Sequence, residues 1–293
     1  MSTPTPAART LRLAFSPDSD DLFMFWPLLT GRLEEAKASG FTFVAERADT
    51  EALNRRAESG EADVIAVSMA HYARISAHYM LLPHGASVGR GYGPIVVSKE
   101  GGPIESLRGK RIAIPGERTT AYAVLRLLFA DFVPVVVPIA PYSRVFEALR
   151  SGEVDAALLI HEGRLTYERE GFAKVLDIGE GWDALTKLPL PLGGNAIARA
   201  LGDETIAKVS DLCRKSIAWS LAHREEVMRG ILAEEGREDV KLDHAMLDRY
   251  LTMYANEDTR EMSEDVRNGV RELVSRMKKA GLIEDAPRVD FAP

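Results

Sequence analysis

The chain has 293 residues, which is enough for one large domain or two intermediate domains. Its hydrophobic content of 46% and charged content of 28% are ordinary for a globular protein with a substantial core. No apolar run reaches the roughly 18 residues that a membrane span needs. The net charge of -7 argues against a general nucleic-acid or acidic-membrane binder, but it permits a local site for a small anion.

Strands and helices alternate along the first third of the chain, which favours an α/β class with a mainly parallel sheet. Short apolar runs bounded by turn residues are typical of buried strands, and apolar spacings of three and four are typical of helices. The predicted elements are a strand over 11–15, a helix ending at Thr30 and Gly31, a strand over 41–46, a helix over 50–58 and a strand over 63–67.

The middle of the chain repeats this alternation and contains an internal echo. Residues 52–68 and 146–161 each join a helical segment to Ser-Gly-Glu-x-Asp and then to an apolar strand. Either glycines that close helices or two similarly built lobes would account for the echo. The predicted elements are a strand over 111–114, a helix over 119–129, a strand over 133–137, a helix over 144–150 and a strand over 156–160.

Two segments rich in glycine and proline, 89–98 and 188–199, are predicted to cross between two lobes. The predicted domains are therefore 1–95 plus 197–293 for lobe one and 96–196 for lobe two. Ligands in such sheets bind outside the carboxyl ends of strands, so the cleft between the lobes is the expected site. Beyond residue 200 the chain is predicted to be helical.

His161 is the candidate base because it directly follows the apolar strand predicted over 156–160. Imidazole titrates near neutral pH and so suits proton abstraction beside a carbonyl. Glu162 is a weaker candidate that would orient the imidazole. A buried structural histidine is the alternative interpretation, and no histidine–carboxylate spacing in the sequence suggests a metal site.

Two turns contain further polar candidates. Asp18, Asp20 and Asp21 either bind a cation or cap the apolar helix that follows while lining a cleft, and the sequence favours the cap. Backbone amides at the helix start near Thr119 and Thr120 are a candidate seat for a carboxylate, although simple N-capping explains these threonines equally well.

Seven motifs spread over nearly the whole chain resemble a known family. The most specific are IHEGRLTY at 160–167 and TTAY at 119–122. TTAY stands within the longer motif IPGERTTAYAVLRL (114–127), and the others are SPDSDDLFMF (16–25), TEALNRR (50–56), VSMAHY (67–72), GRGYGPIVVS (89–98) and LPLPLGGNAI (188–197). They resemble the 1,4-dihydroxy-6-naphthoate synthase family of the futalosine route to menaquinone. The chain departs from many members at 19–22, where Ser-Asp-Asp-Leu replaces Pro-Asn-Asp-Thr and removes possible ligand hydrogen bonds.

The resemblance implies a two-lobed α/β fold of the type II periplasmic-binding-protein class with a ligand cleft between the lobes. It implies a carbon–carbon lyase that converts cyclic dehypoxanthine futalosine to 1,4-dihydroxy-6-naphthoate and dihydroxyacetone, with no metal or organic cofactor. The matching histidine is the proton acceptor, which implies that role for His161. The family's substrate contacts match Asn54, Val67, Ser68, Met69, Thr120 and Ala121.

Two alternatives share the scaffold. A solute-binding protein of a transporter would need an export signal and would leave the IHEGRLTY motif unexplained. A chorismate dehydratase is an enzyme on the same fold with a different substrate. The start of the chain lacks the continuous apolar core of a secretion signal and is predicted to be a short disordered lead. We therefore expect a cytoplasmic protein with a small carboxylate substrate and neither a nucleic-acid partner nor a membrane span.

Overall fold

The computed structural model describes residues 8–139, 141–234 and 242–293. The predicted N-terminal lead falls largely on residues 1–7, outside these ranges. The described chain forms two β-sheets flanked by helices. The strands are β1 (Arg9–Phe15), β2 (Phe41–Arg47), β3 (Val64–Ser68), β4 (Tyr79–Leu81), β5 (Ser87–Gly89), β6 (Ile95–Ser98), β7 (Arg111–Ile114), β8 (Val133–Val136), β9 (Ala156–Leu159), β10 (Ala173–Asp177) and β11 (Leu190–Ala198).

Helices cover both sheets, and most of the residues after 200 are helical, as predicted. Val266 and Val270 belong to the buried stripe of the last long helix, which packs on β11. The α-helices are α1 (Ser19–Leu29), α2 (Glu34–Ala38), α3 (Thr50–Ala57), α4 (Tyr72–Ile75), α5 (Thr120–Leu128), α6 (Ser143–Ser151), α7 (Gly163–Thr166), α8 (Ile178–Thr186), α9 (Asp203–Ala222), α10 (Arg224–Leu232), α11 (His244–Tyr254), α12 (Glu257–Arg260) and α13 (Glu264–Lys279). None of the helices in the described ranges combines the length and apolar character that a bilayer-spanning segment requires.

The prediction of a mainly parallel sheet is wrong, because both sheets contain parallel and antiparallel strand pairs. The first has the order β2-β1-β3-β11-β4, with β5 also paired to β11, and the second has the order β10-β6-β9-β7-β8. Strands of β–α units pair in parallel, whereas β6 and β11 run antiparallel to their neighbours. The reason is that β6 and β11 directly follow the two segments in which the chain crosses between the lobes. Each therefore enters its sheet at the edge next to the cleft, where the other strands end. Apolar periodicity carries no information about strand direction.

The pairing of the strands shows where the chain crosses between the two lobes. The outward crossing lies between Gly89 and Ile95, and the return lies just before Leu190. All partners of β11 belong to the first sheet, so the predicted lobe boundary at residue 196 falls inside this strand. We propose lobes of 8–93 plus 190–293 and of 94–189.

The internal echo corresponds to two equivalent units, α3 followed by β3 and α6 followed by β9. Each strand is entirely buried in its sheet. Ser68 ends β3, and His161 follows β9 by two residues. The two units therefore bring Ser68 and His161 to the lining of the same cleft.

Candidate active site

The main cleft lies where strand ends from the two sheets meet. In the first lobe its walls include Ser16, directly after β1, and Ser68, the last residue of β3. In the second lobe they include the start of α5, which follows β7, and His161, which follows β9. The space between protein atoms, counting the open mouth, is ≈ 760 Å³.

His161 joins β9 to α7 in a left-handed backbone conformation with φ of 48°. A residue with a Cβ rarely adopts this conformation, which costs about 1–3 kcal/mol and must be enforced by its surroundings. The Tyr142 hydroxyl donates to the carbonyl oxygen of Ile160, directly before His161. The strained junction ends the buried strand and leaves the imidazole against the cleft.

Both ring nitrogens of His161 have polar neighbours. Nε2 lies 3.2 Å from Oδ2 of Asp18 and 3.1 Å from the hydroxyl oxygen of Thr50. Nδ1 lies 3.4 Å from the hydroxyl oxygen of Tyr250, which donates to Oδ1 of Asp20 at 3.2 Å. An imidazolium ring donates from both nitrogens, so this arrangement favours the protonated form of His161.

The pKa shifts agree with this arrangement. Burial by itself lowers the pKa of His161, but the negative charges of Asp18 and Asp20 outweigh burial and the net shift is upward. Burial raises the pKa of Asp18 to about 6, against the opposing effect of the His161 charge. Burial also raises the pKa of the Tyr250 phenol well above its ordinary value, so this group stays protonated. The surroundings of His161 therefore stabilise the protonated imidazole.

The acidic turn before α1 faces the cleft. Asp18 occupies the N-cap position but makes no capping hydrogen bond, so the predicted cap is wrong for this residue because its carboxylate pairs with His161. Asp20 and Asp21 line the cavity. Ser16 donates to Asp21 Oδ2 from its backbone nitrogen and its hydroxyl, both at 2.8 Å. Within the described ranges, no three His, Cys, Asp or Glu side chains are grouped to hold a metal ion.

Asp21 should make the stability of the protein depend on pH. Burial and the neighbouring charge of Asp20 raise its pKa from 3.8 to about 7. Between these values the folded protein binds the proton more tightly than the unfolded chain, so stability falls as the pH rises through this window. Asp21→Asn removes the buried charge and should raise the free energy of unfolding near pH 8 by roughly 1–3 kcal/mol. Urea unfolding near pH 8 and near pH 4 measures the effect, and an equal change at both would contradict it.

Four predicted substrate contacts lie on β3 or beside it. Val67 and Ser68 line the cavity, whereas Asn54 and Met69 are fully buried and are not among its lining residues. Asn54 Oδ1 accepts from the backbone nitrogen of Ser68 at 2.9 Å, and its Nδ2 donates to Ser68 Oγ at 3.0 Å. Asn54 therefore fixes the conformation of Ser68 from behind the wall.

Thr120 and Ala121 line the cavity at the start of α5. The Thr120 hydroxyl donates to the carbonyl oxygen of Leu192 at 2.6 Å and accepts from the backbone nitrogen of Ala70 at 3.1 Å. The Thr119 side chain caps the helix by accepting from the backbone nitrogen of Tyr122. Both hydroxyls are thus used within the protein, and a carboxylate here would bind through the backbone amides that a helix start leaves unpaired.

Thr120→Val should weaken the contact between the lobes as well as substrate binding. The hydroxyl of Thr120, in the second lobe, bridges Ala70 and Leu192 in the first. Its loss leaves a buried donor and a buried acceptor unpaired, which should cost about 1–3 kcal/mol. Thr120→Ser keeps the hydroxyl and should retain both stability and the Michaelis constant. Equal behaviour of the two variants in thermal unfolding and steady-state kinetics would contradict this prediction.

Glu162 is buried and forms a contact between the lobes. Its Oε1 accepts from the Ser19 hydroxyl at 2.6 Å and from the Ser19 backbone nitrogen at 3.3 Å. These bonds join the residue after His161 to the start of α1. Glu162 therefore fixes the start of α1 against the segment that carries His161.

The sequence left several cavity-lining side chains unassigned. Tyr250 and Tyr254 lie one turn apart on α11, and their four-residue spacing was a usable signal for a shared face. Arg164 was visible inside the IHEGRLTY motif. Thr50 and Ser87 carry no local signal, because the packing of the two lobes brings Thr50 to His161 and the folding of the first lobe brings Ser87 to Asp20.

Comparison with known proteins identifies the family. A family described as menaquinone biosynthesis matches residues 11–279. A protein of Streptomyces coelicolor named 1,4-dihydroxy-6-naphthoate synthase is 38% identical over 282 residues, covering 94% of this chain and 96% of the relative. A relative of the same name from Thermus thermophilus is 37% identical, covering 96% of this chain and 98% of its own. This chain belongs to the 1,4-dihydroxy-6-naphthoate synthase family. The resemblance seen in the sequence is confirmed, and membership of this family supports an enzyme of menaquinone biosynthesis.

Solved structures confirm the predicted two-lobed periplasmic-binding-protein-like fold. A crystal structure of a protein from Archaeoglobus fulgidus has a TM-score of 0.82 at 39% identity and covers 94% of this chain and 98% of that one. An alkanesulfonate-binding protein from Xanthomonas axonopodis has a TM-score of 0.67 at 14% identity, covering 99% and 98%. At that identity the likeness shows the fold alone, and function rests on the site.

Proposed function

We propose that this family member is a carbon–carbon lyase that converts cyclic dehypoxanthine futalosine to 1,4-dihydroxy-6-naphthoate and dihydroxyacetone. The observation that carries the proposal is the strained His161, whose imidazole lines the cleft and pairs with the buried carboxylate of Asp18. The relatives are named for the naphthoate product, which supports the same product here.

The proposed reaction begins with proton abstraction. His161 in its neutral form accepts a carbon-bound proton beside a ketone, and elimination then opens the ring toward an aromatic product. Asp18 and Tyr250 stabilise the imidazolium that results. General-base catalysis of this kind contributes about 10²–10⁴ in rate. Aromatisation provides the driving force, so the protein has to position the base and exclude water.

The proposed substrate contacts divide into two groups. Val67, Ser68, Thr120 and Ala121 line the cavity and would contact the substrate directly, and the amides at the start of α5 would hold its carboxylate. Asn54 and Met69 would support this wall from behind. A cytoplasmic location stays a prediction from the sequence.

A substrate panel tests the proposal. Purified protein is incubated separately with cyclic dehypoxanthine futalosine and with chorismate, and the products are separated by liquid chromatography. We expect naphthoate and dihydroxyacetone from the first substrate and no change in the second. Dehydration of chorismate would favour the chorismate dehydratase alternative. Tight binding without turnover would favour a solute-binding protein, whose fold this chain shares.

A further inference from the structure

The charges around the cleft are unevenly distributed. Asp20 and Asp21 line one part of the wall, and Asp18 lies behind His161. Among the described residues that line the cavity, Arg164 is the only lysine or arginine. It follows His161 by one helical turn, and its backbone nitrogen donates to the carbonyl oxygen of His161 at 3.4 Å.

Arg164 is held rigidly. Its Nη2 donates to Oδ2 of Asp177 at 2.8 Å, and its Nη1 donates to the hydroxyl oxygen of Tyr254 at 3.4 Å. The guanidinium carbon lies 5.7 Å from the centroid of the Tyr92 ring. Asp177 is itself fixed because its Oδ1 accepts from the backbone nitrogen of Gly179 at 2.9 Å. The guanidinium is therefore oriented before any ligand binds.

Part of the donor capacity of Arg164 is unused. Its side chain is only 14% exposed, and its buried Nε has no hydrogen-bond partner among the described residues. Arginine offers five N–H groups, and the bonds to Asp177 and Tyr254 use two of them.

We infer that Arg164 donates a hydrogen bond to the substrate oxygen on which negative charge develops when His161 removes the proton. This inference rests on the proposed function. In the step, the C–H bond breaks and its electron pair forms a C=C bond, the π pair of the carbonyl moves onto its oxygen to form an enolate, and the proton goes to a ring nitrogen of His161. Arg164 transfers no proton.

The position of Arg164 favours this role over that of a ground-state carboxylate clamp. Asp177 already offsets the guanidinium charge, so Arg164 would act on the substrate through a directed hydrogen bond more than through a net positive charge. A donor fixed beside the base in a buried site acts most strongly on charge that appears only in the transition state. The amides at the start of α5 provide a separate seat for the carboxylate.

Two variants test the inference. Arg164→Lys keeps the charge and the pairing with Asp177 but loses the planar donor array, and kcat should fall roughly 10-fold. The double variant Arg164→Gln with Asp177→Asn removes both charges without leaving a buried ion, and kcat should fall by about 10²-fold or more. In both, KM and the melting temperature should stay close to wild type. Arg169→Gln is the matched control, because Arg169 contacts Met246 and does not line the cavity.

A second readout needs no turnover. Bound 1,4-dihydroxy-6-naphthoate, titrated anaerobically by absorbance, should ionise at lower pH on the wild type than on the double variant. The inference is overturned if KM rises while kcat is retained, if kcat is unchanged, or if the activity loss is matched by unfolding. Failure of the naphthoate to bind, or its ionisation at the same pH on both proteins, also overturns it. Absence of turnover by the wild type, with the titration difference intact, would instead refute the proposed substrate.

Discussion

Replacing His161 by asparagine should lower turnover by about 10²–10⁴-fold while the fold and ligand binding persist. The variant removes the base that lies against the cleft and keeps a polar side chain of similar size. Asparagine also adopts positive φ values more readily than most residues, so the φ of 48° at this position should not destabilise the variant. Steady-state kinetics and thermal unfolding of the same preparation measure the two effects separately.

The control for this variant is His244→Asn, which removes an exposed histidine that pairs with Glu225 at the surface. We expect this control to retain full activity. Near-normal turnover by His161→Asn would place the base elsewhere. Loss of activity that follows loss of the folded state would make His161 a structural residue.

Replacing Asp18 by asparagine should change both the rate and its pH dependence. The rate of the wild-type enzyme should rise with pH as His161 loses its proton. The upward pKa shift of His161 places this rising limb of the pH profile above the ordinary imidazole pKa of 6.5. Removing the Asp18 charge lowers the pKa of His161, so the limb should move to lower pH. The imidazolium formed in the reaction loses its nearest carboxylate, so the maximal rate should fall roughly 10–100-fold.

The profile of kcat/KM against pH measures both parts of this prediction. A rate loss without movement of the limb would show that Asp18 acts only on packing. Combining Asp18→Asn with His161→Asn should add little to the loss from His161→Asn alone, because residues that act as one unit are not additive. Fully additive losses would contradict the pairing.

The order of elements could be predicted from the sequence because each strand and helix has a clear local pattern. The strand predicted over 111–114 agrees with β7, and the helix predicted over 50–58 differs from α3 by one residue. The direction of β6 and β11 could not be predicted, because it depends on how the chain crosses between lobes. The start of β11 at Leu190 was also missed, because its glycines and prolines were typical of a segment that connects the two lobes and not of a strand.

In the site, too, positions that depend on local sequence could be predicted, whereas contacts between distant segments could not. The position of His161 after an apolar strand indicated that it would reach the cleft, and the structure places it there. The pairing with Asp18 and Tyr250 joins residues that are 143 and 89 positions away along the chain, and no local pattern indicates such contacts. The internal use of the Thr120 hydroxyl likewise depends on Leu192, which arrives from the other lobe.

The most direct test of the central claim is single-turnover product formation with enzyme in excess over cyclic dehypoxanthine futalosine. Because His161 must be neutral to accept a proton and its pKa is shifted upward, the reaction is run near pH 8, where more of the imidazole is neutral than at pH 7. The account predicts equimolar naphthoate and dihydroxyacetone from the wild type, and formation at least about 100-fold slower from His161→Asn at equal substrate occupancy. Equal rates from the two proteins, or a fully occupied wild-type site that forms neither product, would contradict it.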